Sequence, residues 1–226
     1  MCHASALLFG VENINREEVE KKRILDIGSH SHNGNYRSIA TRFHPEEFIG
    51  IDIIDGPGVD RVLDAEKAVE TFGEESFDMV IASEMLEHAR NWRIVVSNIK
   101  RVCKKGGYII LTTRSEGFRV HGYPHDYWRY SVEDFKEIFS DLEILELKAD
   151  HEAPGVFLKA RKPENFEERL LEDIRLYSII ENRRIKEIDE EKEKKFQKRY
   201  QFYKKVIKTR SKIEGGVFRF IKKLFT

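Results

Sequence analysis

Arg23-Ile24-Leu25-Asp26-Ile27-Gly28-Ser29-His30-Ser31-His32-Asn33-Gly34 is the stretch on which the reading of the whole chain turns. Its first five residues are too continuously apolar for a half-exposed strand and suit one covered on both faces. Gly28 ends the run, and a loop that passes from strand to helix offers backbone N–H groups to a ligand that glycine lets come close. No GxGxxG follows, which disfavours a dinucleotide site.

Similar runs recur on the C-terminal side. Phe48-Ile49-Gly50-Ile51-Asp52-Ile53 reads as a second strand, Val59 to Leu63 as a short third, Phe77 to Ala82 as a fourth and Tyr108 to Thr113 as a fifth. Leu142 to Leu147 and Gly155 to Ala160 close the sheet. Between them, Trp92, Val95, Val96, Ile99 and Val102 share one helical face up to Cys103, and Lys104-Lys105-Gly106-Gly107 stops that helix. Alternating β and α elements predict a doubly wound, Rossmann-like α/β sheet, mostly parallel with an antiparallel edge.

Ligands of such sheets bind at the carboxyl ends of the strands. Asp52 stands there, where a carboxylate accepts both hydroxyls of a ribose or serves as a solvated turn residue before Gly56-Pro57-Gly58. Asp64 follows the third strand, where it either accepts from an adenine amino group or caps a helix. His30 and His32 form an HxH pair, with His3, His44 and His121 elsewhere, but no spacing announces further ligands and no metal is expected.

Ile24-Leu25-Asp26-Ile27-Gly28, Gly50-Ile51-Asp52, Leu63-Asp64-Ala65-Glu66, Ser76-Phe77-Asp78-Met79-Val80-Ile81, Glu84-Met85-Leu86-Glu87-His88 and Lys105-Gly106-Gly107 follow one another in order. Together they resemble the class I S-adenosylmethionine-dependent methyltransferases, and among them the type 11 subgroup, over residues 23–161. Gly28-Ser29 with Asn33-Gly34, and His121-Gly122-Tyr123-Pro124-His125-Asp126-Tyr127-Trp128-Arg129-Tyr130, resemble a narrower bacterial and archaeal branch. The resemblance implies S-adenosylmethionine as cofactor. Asp26, Gly28, Ser29, Asn33 and Gly34 would then shape the loop facing its methionine part. Asp52, with Ile53 beside it, would hold the ribose, Asp64 and Ala65 would meet the adenine, and Ser83 and Glu84 would lie alongside. His30 and His32 stand where the common motif has its second and third glycines.

Four residues are the candidates for chemistry: His88, His121, Asp126 and Tyr127. His88 is a general base for the acceptor or a packing histidine that orients the neighbouring acid. The segment Ser115 to Tyr130 is too long for a simple connection. It reads as a substrate wall of Tyr123, Tyr127 and Trp128 with polar His121, Asp126 and Arg129, or as a structural loop tied by an Asp126–Arg129 ion pair. No Asn/Asp-Pro-Pro-Tyr is present, against the usual amino methylation of DNA bases.

Composition bounds the rest. The 226 residues carry 40 basic and 40 acidic side chains, so the formal net charge is zero. Two cysteines, Cys2 at the terminus and Cys103 on the expected helix, form no disulfide framework and favour a reducing, cytoplasmic compartment. The first residues have no signal-peptide pattern, and no run has transmembrane length. Residues 1–162 are read as the cofactor-binding domain and 163–226 as a charged helical tail reaching to about Lys212, with Phe196, Tyr200, Tyr203 and Ile207 near helical spacing. From residue 194 onward, twelve Lys and Arg face the single acid Glu214. Val217, Phe218, Phe220, Ile221, Leu224 and Phe225 form an apolar face opposite Arg219, Lys222 and Lys223. Such an end packs on protein, lies on an anionic membrane surface as a peripheral anchor, or binds RNA, the last disfavoured because no RNA module accompanies it. The expected activity is methyl transfer to a small molecule or a glycan- or lipid-linked intermediate. An RNA methyltransferase and a non-catalytic nucleoside-binding scaffold are the alternatives. The oligomeric state stays open.

Overall fold

The computed structural model describes residues 4–30, 34–121 and 125–205. In chain order the elements are α1 (Ala4–Asn13), α2 (Arg16–Val19), β1 (Arg23–Ile27), α3 (Arg37–Ala40), β2 (Glu47–Asp52), β3 (Arg61–Val62), α4 (Ala68–Phe72), β4 (Phe77–Ser83), α5 (Trp92–Val102), β5 (Cys103–Arg114), β6 (Trp128–Arg129), α6 (Val132–Ile138), β7 (Glu143–Ala149), β8 (Gly155–Arg161), β9 (Leu176–Ser178) and β10 (Arg183–Ile185). A helix over 190–205, α7, follows.

Strands β1 to β5, β7 and β8 form one sheet in the order β3-β2-β1-β4-β5-β8-β7. The first five are parallel, while β8 runs antiparallel to β5 and β7 antiparallel to β8. The fold is therefore the expected Rossmann-like sheet, parallel with an antiparallel edge. Its inner strands are apolar on both faces because both are covered. Ile24, Met79, Ile81 and Ile110 pack with Ala6 and Phe9 of α1 and Val19 of α2. The alternate residues Leu25, Val80 and Ile109 point the other way and are equally sealed from solvent, on the face where α5 meets β4 and β5. The order reverses at β1, between β2 and β4, so a crevice opens beyond the carboxyl ends of β1 and β4.

Local chemistry sets the boundaries. Ser131 and Asp134 exchange bonds with each other's backbone N–H and start α6 with a capping box. Cys103 lies at the C-terminal edge of α5 and begins β5, which also takes in Lys104 to Gly107, so it belongs to the strand and not to the helix. The third strand shrinks to Arg61–Val62, both exposed at the sheet edge.

The stretch after residue 162 departs from the expected tail. Contacts group Met1–Lys186 as one compact unit and Glu187–Thr226 as another. Within the first, β9 and β10 join β6 in a small antiparallel sheet, with Trp128 opposite Ser178 and Arg129 opposite Tyr177. Arg93 of α5 holds the segment down by donating to the carbonyls of Leu171, Ile174 and Lys186 at 2.7–2.9 Å. A continuous helix from residue 163 is therefore corrected. These strands are three residues long, too short to raise a period-2 signal above the surrounding charge. The second unit holds α7, on which Phe196 and Tyr200 stack as helical spacing requires. Val217 to Phe225 lie outside the described residues. Among the described residues no helix is long and apolar enough to cross a membrane.

Candidate active site

Two groups of side chains collect at the carboxyl edge of the sheet. The first belongs to β1 and β2. Gly28 has φ +77°, and a Cβ there would fall 2.6 Å from Cβ of Met85, so only glycine lets β1 turn under the loop after β4. Among the described residues the buried Ser29 hydroxyl meets no hydrogen-bond partner. Asp52 accepts from the backbone N–H of His30 at 3.2 Å and of Ile54 at 3.0 Å. Two amides fix the carboxylate and leave about two of its four lone-pair positions for a ligand. Ile53 beside it is 48% exposed, an apolar face presented at the crevice. His30 is turned toward the loop after β2: a Cβ on Gly56 would lie 2.1 Å from its Nε2, so the ring fills the notch that glycine leaves.

Asp26 is buried in β1, and burial first, with the nearby Asp52 and Asp60 charges, pushes its carboxyl up to about 7 against the pull of Arg37. Gly34 has φ +110°, which suits its place at the end of the loop. Asp64 accepts from the N–H of Glu66 at 2.9 Å and starts a short 3₁₀ turn, so its capping role is real. Ala65 is buried behind it. Asn33 and His32 lie outside the described residues. These groups suit a nucleoside ligand: a pre-oriented carboxylate with free lone pairs, an exposed apolar neighbour and a buried hydroxyl that meets no partner among the described residues.

The second group belongs to β4, β5 and the segment before β6. Ser83 lies 3.0 Å from Thr112 through their hydroxyls. Glu84 has φ +55°, a left-handed backbone that costs a non-glycine residue about 1–2 kcal/mol. Its N–H bonds the carbonyl of Thr112 and its carboxylate pairs with buried Arg114, which also reaches Asp150 at 3.5 Å. Burial, and then the charge of Glu87, push Glu84 up to about 8 despite that arginine. Glu84 is thus walled into protein, whereas the sequence suggested an acid lying alongside the cofactor.

Glu87, fully buried, is the residue that sequence reasoning passed over as a mere neighbour of His88. Its Oε2 accepts from Thr113 Oγ1 at 2.8 Å, and Oε1 lies 3.5 Å from His121 Nε2 and 3.8 Å from His88 Nε2. Burial raises its pKa, but the attraction of the neighbouring His121 and His88 imidazoles outweighs that and holds it below the usual carboxylate range. His88 is shifted down, chiefly by burial, and its Nδ1 is bonded to the carbonyl of His125. His121 is pushed up to about 9: burial lowers it, but the carboxylates of Asp126 and Glu87 beside it prevail. Asp126 binds Arg129 through both oxygens at 2.6 and 2.8 Å, and it holds the His121 backbone N–H at 2.8 Å and Nδ1 at 3.1 Å.

His88, His121 and Asp126, drawn from separate parts of the sequence, thus meet around Glu87. Tyr127 does not face an opening. Its ring is buried, and its N–H bonds the Glu87 carbonyl at 2.9 Å. Trp128 is likewise buried, with its indole N–H on the carbonyl of Arg90. The segment before β6 is therefore anchored by its aromatics and by the Asp126–Arg129 pair, and Tyr127 and Trp128 are not substrate walls. The miss has a plain cause: residues 126–130 are covered on both faces, by neighbours that the segment alone does not reveal. Tyr123 lies outside the described residues.

Comparison with known proteins agrees with this architecture. The family described as "Methyltransferase domain" matches residues 7–149. Among curated proteins, a polyketide synthase-nonribosomal peptide synthetase of Aspergillus clavatus is 43% identical over 58 residues, which cover 25% of this chain and 1% of that protein. The chain thus spans only about 1% of the length of that relative. Among solved structures, the 1,6-didemethyltoxoflavin-N1-methyltransferase of Burkholderia thailandensis, with S-adenosylhomocysteine bound, aligns with a TM-score of 0.58 at 13% identity, over 71% of this chain and 79% of that one. An S-adenosylmethionine dependent methyltransferase from Mesorhizobium loti aligns at 0.55 and 15% identity, over 70% and 98%.

Proposed function

Because this chain belongs to the methyltransferase-domain family, we propose that it is an S-adenosylmethionine-dependent methyltransferase whose acceptor is a small molecule or a glycan- or lipid-linked intermediate. The enzyme class and the cofactor follow from the family; the acceptor class is our reading. The observation that carries it is the pair of imidazoles on Glu87. They are partly open to solvent, with side chains 14% exposed at His88 and 25% at His121, on a buried acidic base. A single polar group of an acceptor can meet these two partly exposed imidazoles.

When bound, S-adenosylmethionine supplies a methyl carbon on a sulfonium, open to in-line displacement with the bonding pair leaving to sulfur. The protein's own part is mostly alignment. Asp52 would hold the ribose hydroxyls, Ile53 would cover the adenine, and Gly28 with Ser29 would line the methionine end. At the acceptor side, the carbonyl of His125 can only accept, so His88 carries its proton on Nδ1 and keeps a lone pair on Nε2. That lone pair can take the acceptor's proton, while ionised Glu87 stabilises the imidazolium that results. The amphipathic end of the tail would bring the chain to an anionic membrane surface if the acceptor is lipid-linked.

The acceptor class is tested by incubating the full chain with methyl-labelled S-adenosylmethionine and cell extract, then separating small molecules, glycans, lipids and RNA. Label in one of the first three fractions is expected. Label confined to RNA and released by ribonuclease would replace this acceptor class with the nucleic-acid one.

A further inference from the structure

Glu87, His88 and His121 present one ligand atom each, all within 4.8 Å of one another. The distances fit poorly with direct hydrogen bonding. A charge-assisted N–H···O⁻ bond spans about 2.7–2.9 Å, whereas Glu87 Oε1 stands 3.5 and 3.8 Å from the two Nε2 atoms. Two ligands held 2.0–2.1 Å from a tetrahedral ion are separated by about 3.4 Å. Among the described residues, Glu87 Oε1 is sealed from solvent and no hydrogen bond of ordinary geometry reaches it.

The groups behind these atoms point the same way. Metal-bound imidazoles usually hand their second nitrogen to a backbone carbonyl or a carboxylate, which fixes the tautomer and aims the lone pair. His88 has the carbonyl of His125 there, and His121 has Asp126, itself clamped by Arg129. Thr113 holds the other oxygen of Glu87. Each candidate ligand thus has a polar partner on the side away from the other two. Two imidazoles and one carboxylate form a borderline-soft donor set, with positions left open.

We propose that Glu87 Oε1, His88 Nε2 and His121 Nε2 bind a divalent transition-metal ion, with zinc the best match to the donor set. An ion there keeps a position for a water or an acceptor hydroxyl and lowers its pKa. It then takes over from His88 the task of making the nucleophile. That second role rests on the methyl-transfer reading; the binding does not. The sequence concealed the site because its ligands come from two separate stretches of the chain.

The test uses the full chain stripped with chelator and titrated with Zn²⁺, followed by Co²⁺ as a visible-absorbing substitute. One ion per chain is expected. Glu87→Gln and His121→Gln should each weaken it by at least about tenfold, with folding checked by a cooperative unfolding transition. Imidazole ¹⁵N spectra of the unmutated chain guard against variants that fail to fold: Zn²⁺ should shift the Nε2 resonances of His88 and His121. Absence of stoichiometric binding, unshifted Nε2 resonances, or folded variants that bind as tightly as the parent would overturn the proposal. Calorimetry with S-adenosylhomocysteine separates the two readings. Retained nucleoside binding without zinc binding removes only the ion, and the reverse removes only the methyl-transfer site.

Discussion

The two halves of the crevice are built on different principles. On the β1–β2 side, backbone does the shaping: Gly28 turns under Met85, and two amides aim Asp52. On the β4–β5 side, side chains hold side chains: Arg129 grips Asp126, Asp126 steadies His121, and Glu87 joins His121 to His88. The first side is shaped by backbone at the ends of neighbouring strands, and Ile53 there stays half exposed. The second is largely buried and joins Glu87 and His88 to the segment around His121 and Asp126. Damage to the first should show in ligand affinity, and damage to the second in stability as well.

Removing Arg129 breaks the second side most severely. It leaves the Asp126 carboxylate buried without its bidentate partner, and loss of one member of a buried pair costs about 3–5 kcal/mol. Arg129→Met should therefore lower the unfolding free energy by about that amount in urea titration. A loss within error would mean that the network is not what holds the segment before β6 in place.

Asp26 tests whether the backbone-built side also carries buried charge. Its carboxyl is raised from 3.8 to about 7 in the folded protein, with desolvation the largest cause. A carboxyl whose folded pKa is raised binds its proton more tightly when folded. Its contribution is fully present below the unfolded pKa and is lost as pH rises through the folded one, between about 4 and 7. The asparagine variant has no proton to lose. Asp26→Asn should match the parent near pH 4 and exceed its stability at pH 8, by up to roughly 4 kcal/mol. Parallel stability curves for the two proteins across that range would show that Asp26 is not held neutral.

The sequence made these halves unequally legible. Ile24 to Ile27 and Met79 to Ala82 are buried on both faces, and continuous apolar runs report that directly. Gly28 and Asp52 act within a few residues of their own strands, so a linear pattern can contain them. Glu87 and His121 lie on separate loops, and only the pairing of β4 with β5 brings the loops together. Helix α1 escaped notice because Leu7-Leu8-Phe9 runs through its faces and Leu8 and Val11 remain exposed, which blurs the 3.6-residue period. Strands β9 and β10 were hidden by charge, since four of the residues 181–186 are charged and only pairing with β6 makes the segment extended.

Asp52 is the direct probe of the open side. Its two lone-pair positions toward the crevice would receive ribose hydroxyls, and hydrogen bonds to a charged group are worth about 1.5–3 kcal/mol. Asp52→Ala should weaken S-adenosylmethionine and S-adenosylhomocysteine about 10- to 100-fold by calorimetry. An unchanged affinity would remove Asp52 from the cofactor site.

Asp64 gives the smallest effect and asks whether one residue serves both structure and ligand. As the cap on Glu66 it contributes about 0.5–2 kcal/mol, and serine replaces that function well. Serine is too short, however, to keep an acceptor where a longer carboxylate would meet an adenine amino group. Asp64→Ala should therefore lower thermal stability while Asp64→Ser does not. Both should weaken the cofactor by roughly threefold to tenfold, the worth of one ordinary hydrogen bond. If Asp64→Ser binds the cofactor as the parent does, Asp64 is a cap alone, and the adenine is held by the apolar surface at Ile53.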